Sequence, residues 1–156
     1  MCEKGLITEE HKKNLPTVRI KKVILKDFKS VGYGEITFNC GKQFIPYNTE
    51  SDILGIYGQN GSGKTSFIEA LSILQELMAG TTVSSVYADC VASGKEFSEL
   101  EFVFDMQYPN SIIREAAYSF CMSRQKLTEE ELREKYKEAP EDFDIPEEDY
   151  KVIIFD

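Results

Sequence analysis

Eight consecutive residues, Gly58-Gln59-Asn60-Gly61-Ser62-Gly63-Lys64-Thr65, constrain this chain more than any other feature. They fit G-x-x-x-x-G-K-[ST], a pattern suited to a backbone that wraps closely around an anion. The preceding run, Ile53-Leu54-Gly55-Ile56-Tyr57, lacks alternation, as expected of a strand buried on both faces. Residues 65–78 then repeat apolar side chains at helical spacing. Strand, glycine loop and helix in that order make the pattern a structural expectation.

Each position of the run has a physical task. Gly58, Gly61 and Gly63 let the backbone turn its N–H groups inward around a phosphate. The N-terminus of the following helix adds a partial positive charge. Lys64 is expected to reach the β- and γ-phosphates, and the Thr65 hydroxyl to ligate magnesium. Gln59, Asn60 and Ser62 fill the variable positions, and Ser66 is assigned to the α-phosphate region. The implied ligand is a nucleoside triphosphate with Mg2+. A glycine-rich turn that merely joins a strand to a helix is the bland alternative, disfavoured by the full match in context.

With 156 residues the chain suits one domain with a real core. Residues 1–16 read as a disordered leader, polar and unlike a secretory signal, and residues 17–156 as the folded part. No apolar run approaches the ~18–20 residues that span a bilayer. Cys2, Cys40, Cys90 and Cys121 form no C-x-x-C pair, and His11 is the single histidine, so zinc and His-based catalysis lack ligands and bases. Reduced thiols and the absence of a membrane segment point to a cytoplasmic setting.

The net charge of −9 is uneven: residues 1–66 carry ten Lys/Arg against seven Asp/Glu, whereas residues 67–156 carry eight against twenty. Arg19, Lys21, Lys22, Lys26 and Lys29 cluster in the positive part. DNA is one partner such a cluster could take, and the solvated face of a strand is the plainer reading.

Residues 17–28 alternate apolar and charged side chains and predict a half-buried strand. Gly32 and Gly34 suggest a turn before a second strand at 35–38, and residues 41–52 read as a loop. The helix after the loop places Phe67, Leu71, Leu74 and Met78 on one stripe, widened by Ile68, Ala70 and Leu77, with Gly80 as its stop. Residues 81–92 are ambiguous between a helical continuation and a surface segment. Strands are expected at 100–106, 118–122 and 151–155, and the spacing Thr128-Glu129-Glu130-Glu131 predicts a capped helix ending before Pro140. The fold class is therefore α/β: a P-loop NTPase lobe, with a mixed sheet and an antiparallel β-subdomain beside the P-loop strand and helix.

The motif does not by itself supply a reaction. Hydrolysis needs a second acidic magnesium ligand and a residue that positions water. Asp156, after Val152-Ile153-Ile154-Phe155, has the form of the first, and Gln107 is placed to be a magnesium- or water-contacting glutamine. An ordinary strand end and an ordinary turn residue are the competing readings, so no catalytic residue is assigned.

Lys26-Asp27-Phe28-Lys29-Ser30, Ile36-Thr37-Phe38, the run from Ile56 to Ser66, Ile68-Glu69-Ala70-Leu71 and Leu100-Glu101-Phe102-Val103-Phe104-Asp105 carry a resemblance. The chain resembles the N-terminal lobe of an ABC-type ATPase head of the RecF/SMC/OLD kind, the bacterial "AAA family ATPase". The resemblance covers residues 17–80 well and 98–122 loosely. It implies ATP as the nucleotide and a second head as partner, two heads sandwiching two ATP molecules in a cycle that acts on DNA or on a coupled nuclease or toxin. The L-S-G-G-x signature, the Asp-Glu strand and the switch histidine of that family are missing from this sequence. The expectation is thus a truncated lobe that binds nucleotide weakly or not at all and does not turn it over. A small P-loop kinase and a non-catalytic, nucleotide-gated interaction module are the alternatives; a GTPase is disfavoured because no N-K-x-D run is present.

Overall fold

The computed structural model describes residues 16–38, 54–109, 112–140, 146 and 149–155. The leader at 1–15, the loop at 41–52, Ile53, Cys2, Cys40, His11 and Asp156 lie outside the described residues. The strands are β1 (Thr17–Phe28), β2 (Val31–Thr37), β3 (Phe97–Gln107), β4 (Ile113–Lys126) and β5 (Tyr150–Phe155). Helix α1 (Lys64–Met78) follows β2, a 3-10 turn (Ser85–Cys90) precedes β3, and α2 (Glu129–Lys135) lies between β4 and β5. The strands hydrogen-bond in the order β2-β1-β3-β4-β5 as an antiparallel sheet. In the β4–β5 register Cys121 faces Phe155 and Lys126 faces Tyr150.

The residues divide into two units, and β1, β2, β3 and β4 contribute to each. In the first unit, built from 1–24, 35–55 and 101–118, Val23, Phe102, Val103 and Phe104 are buried. In the second, Leu25, Phe28, Leu100, Phe120 and Met122 of the strands are buried, as are Phe67, Ala70, Ile73 and Leu74 of α1. The alternation expected of β1 holds in its second half, where Val23, Leu25 and Phe28 are buried, whereas Ile20 is half-buried and Val18 exposed. The strand's lysines meet carboxylates, Lys21 with Glu115, Lys22 with Glu35, and Lys26 with Glu99. Such exposed pairs add little stability, but they neutralise the strand's charge.

Three expectations are corrected. The turn after β1 falls at Lys29-Ser30, and Gly32 and Gly34 lie inside β2. Lys29 makes that turn without a glycine by adopting a left-handed φ of 54°, its N–H bonded to the Cys90 carbonyl at 2.8 Å. The buried face of α1 is centred on Ala70 and includes Ser66 and Ile73, whereas Ile68 and Met78 are exposed. Ser66 is small enough to be enclosed, which turns the helix toward Ile73. The sheet, finally, is antiparallel throughout the described residues where a mixed one was expected, and residues 54–57 of the expected P-loop strand form no strand.

Helix α2 begins at the expected capping box. Thr128 Oγ accepts from the Glu131 N–H at 3.3 Å, and Glu131 Oε2 accepts from the Thr128 N–H at 2.9 Å. Lys151 of β5 pairs with the same Glu131, while Lys135 and the Tyr136 hydroxyl both donate to Asp149. The bond from Lys151 first, and then that from the Thr128 N–H, lower the Glu131 carboxyl from 4.5 to about 2. A group depressed in this way stabilises the fold above its unfolded value and loses that contribution as pH falls through its folded value. The Glu131 and Leu132 amide resonances are therefore expected to shift toward coil values between pH 4.5 and about 2, ahead of the β3 resonances. Shifts that wait for global unfolding would count against the capping assignment.

Candidate functional site

The glycine run joins an irregular segment to α1. Residues 54–57 form no strand; Leu54 is 47% exposed and Tyr57 94% exposed. Apolar composition alone does not make a strand, because the backbone also needs a ladder partner, and none pairs with this segment among the described residues. At the other end, Gly63 caps α1 with φ 84° and offers no side-chain cap, and no acidic residue occupies the helix's first turn. The first intrahelical bond runs from the Phe67 N–H to the Gly63 carbonyl at 3.0 Å. The N–H groups of the turn before it are thus left to a ligand or water, at the positive end of the helix dipole.

Gly63 is required twice over. Its left-handed φ suits glycine, and a Cβ there would come within 2.9 Å of Val31 Cγ2 on β2. The ammonium of Lys64 folds back over the loop, donating to the Gly58 carbonyl at 2.7 Å, the Gln59 carbonyl at 2.6 Å and Ser62 Oγ at 3.3 Å. Gly58, Gln59 and Ser62 therefore hold the lysine and do not line the cleft beside it. That cleft, about 460 Å³, is lined by Asn60, Gly61, Gly63, Lys64, Thr65 and Ser66, together with Lys29 and Ser30. Ser66 is buried and Thr65 exposed.

The chemistry of this lining suits an anion. Two lysines, two serines, a threonine, an asparagine and two glycines line the space, and among the described residues no carboxylate does. Its volume falls within the range of small-molecule sites, about 300–1,000 Å³. A polyphosphate fits this donor set, and Thr65 is the lining hydroxyl at the motif's magnesium position.

The sequence motif alone does not reveal Lys29 and Ser30. Their signal was the Phe28-Lys29-Ser30 run, legible as part of a resemblance but not as site chemistry. Gln107 is the last residue of β3, only 7% exposed, and does not line the cleft. Of the basic cluster, Lys21, Lys22, Lys26 and Lys29 all form ion pairs within the chain, the last with Glu69. Among the described residues no helix is long and apolar enough to cross a membrane.

Comparison with known families places the same run inside two matches. A family model described as "AAA domain, putative AbiEii toxin, Type IV TA system" matches residues 53–151, and one described as "AAA domain" matches residues 22–74. No curated protein and no solved structure matches the chain significantly. The first match spans well over half of the sequence, and the glycine loop with the start of α1 falls within both. By that coverage the chain belongs to the AAA-domain family of nucleotide-binding ATPases.

Proposed function

We propose that the cleft binds the phosphates of Mg-ATP and that the chain is the phosphate-binding part of an ABC-type ATPase head. The observation that carries this reading is the uncapped, acid-free start of α1, opening with Lys64 onto a cleft lined by donors. In it, the backbone N–H groups of Gly61 and of Gly63 to Ser66 cradle the phosphates. Lys64 moves from the loop carbonyls to the β- and γ-phosphates, and its departure frees Gly58 and Gln59 to adjust around the ligand. Thr65 would hold the magnesium ion, which would supply positive charge to offset that of the phosphates. Ser66, buried in the first turn of α1, supports the α-phosphate side.

Turnover in this proposal requires groups supplied by a second lobe or a partner head. Neither a signature motif nor an apolar strand followed by Asp-Glu occurs in the sequence. Pairing of two such heads around ATP in the cytoplasm is the assembly this implies. The segment 54–57, apolar and without a ladder partner among the described residues, is the one to which a parallel strand would be added in a complete P-loop sheet. DNA is not assigned to the lysines of β1, whose charge is balanced by Glu35, Glu99 and Glu115.

The test is a titration of the 15N-labelled chain with Mg-ATP. Amides of Gly61, Gly63 and Lys64 to Ser66 are expected to shift at sub-millimolar to millimolar nucleotide, with no multiple-turnover release of phosphate. Shifts confined to other residues would overturn the site. Multiple-turnover hydrolysis abolished by Lys64→Ala would overturn the claim that the catalytic groups lie elsewhere.

A further inference from the structure

Lys29 is held in an unusual way for a surface lysine beside a cleft. Its backbone is left-handed at φ 54°, a conformation that side-chain-bearing residues adopt at a cost and keep only when the surroundings fix it. Two contacts fix it here. Its N–H donates to the Cys90 carbonyl at 2.8 Å, and the preceding Phe28 is fully buried and bridged to Val91. The side chain then reaches α1, where its Nζ lies 2.6 Å from both carboxylate oxygens of Glu69. Glu69 follows Lys64 by five positions, on the helix that opens the cleft. Both side chains are about one-quarter to one-third exposed, so the pair is shielded more than Lys21–Glu115 and Lys26–Glu99 of β1.

An ammonium group carries three donors. Glu69 engages Lys29 from one side, and the same lysine lines the cleft with Lys64, Thr65 and Ser66. We infer that Glu69 is a positioning residue that fixes Lys29 as a second cation for the phosphate cleft. This rests on the cleft's being the phosphate site. Lys64 arrives from the loop side and Lys29 from the β1–β2 turn, so a polyphosphate would be gripped by two cations on separate elements. Consistent with a fixed pair, the hydrogen bond from Lys29 to Glu69 is the main cause that raises the lysine's affinity for its proton.

A competing possibility predicts the opposite sign. If Glu69 only occupied Lys29, an incoming phosphate would have to displace it, and removing the carboxylate would tighten binding. Positioning and occupation are therefore separable by one substitution.

The experiment is a Mg-ATP titration of the full chain and its variants, with thermal melting recorded for each. Lys29→Ala is expected to weaken binding about tenfold or more, as suits loss of one charge-assisted contact. Glu69→Gln is expected to weaken it about three- to tenfold, yet to add less than about twofold in a Lys29→Ala background, because the carboxylate acts through the lysine. Lys29→Gly relieves the left-handed backbone and keeps the chain folded, and it too is expected to bind at least about tenfold more weakly. Tighter binding by Glu69→Gln, equal losses in both backgrounds, or unchanged affinity in Lys29→Gly would each overturn the inference. Lys64→Ala separates the two levels: if it loses binding while Lys29→Gly does not, the phosphate site stands and the second cation falls. If the unsubstituted chain shows no shift at the loop, both fall together.

Discussion

Lys64→Ala is expected to reduce Mg-ATP affinity by at least about a hundredfold, the scale of losing a charge-assisted contact of about 3 kcal/mol. Removing the side chain also takes the ammonium from the Gly58 and Gln59 carbonyls. Those carbonyls belong to an exposed loop, where water can replace the lost donor. The thermal midpoint should consequently move little, by the amount expected for a surface change of under about 1 kcal/mol. The result to look for in calorimetry and melting together is binding lost with folding retained. Affinity equal to that of the unsubstituted chain would sink the phosphate site, and a collapsed melting curve would show that Lys64 is structural.

The largest stability effect is expected at Phe28. Its ring is fully buried in the second unit, and it sits between two non-glycine residues in left-handed conformations, Asp27 at φ 50° and Lys29 at φ 54°. Phe28→Ala removes the ring and leaves a cavity, a change that costs about 3–5 kcal/mol in well-packed cores. Total stabilities of about 5–15 kcal/mol leave little margin for such a loss. Urea unfolding should show a lower midpoint with an unchanged slope. A loss below about 1 kcal/mol would mean that the turn does not depend on the ring that anchors it.

The sequence was most legible where local chemistry decides the structure. The capping box at Thr128 and Glu131, the stop at Gly80 and the alternation of β1 from Val23 onward are each set by near neighbours, and each appears where expected. Legibility failed where the outcome depends on distant partners. Leu54 to Tyr57 has the composition of a buried strand, yet its pairing cannot be read from composition. The α1 face was misjudged by one residue's width, because a small serine at position 66 packs as well as an apolar residue would. At the cleft, the motif named the loop and Lys64 but not Lys29, whose place follows from the long-range bonds to Cys90 and Glu69.

The order of the sheet also sets a timetable for synthesis. Strand β1 sits between β2 and β3, and its Lys26 meets Glu99 of β3 across 73 positions of chain. At translation rates of ~5–20 residues per second, β3 would emerge roughly 4–15 s after β1. Until then, Leu25 and Phe28 lack the strand beside them, and a growing chain presents an apolar edge to chaperones and to neighbouring chains on the same message. The glycine loop and α1 are made during that interval. The segment that carries the candidate site is thus also what prolongs the nascent chain's exposure.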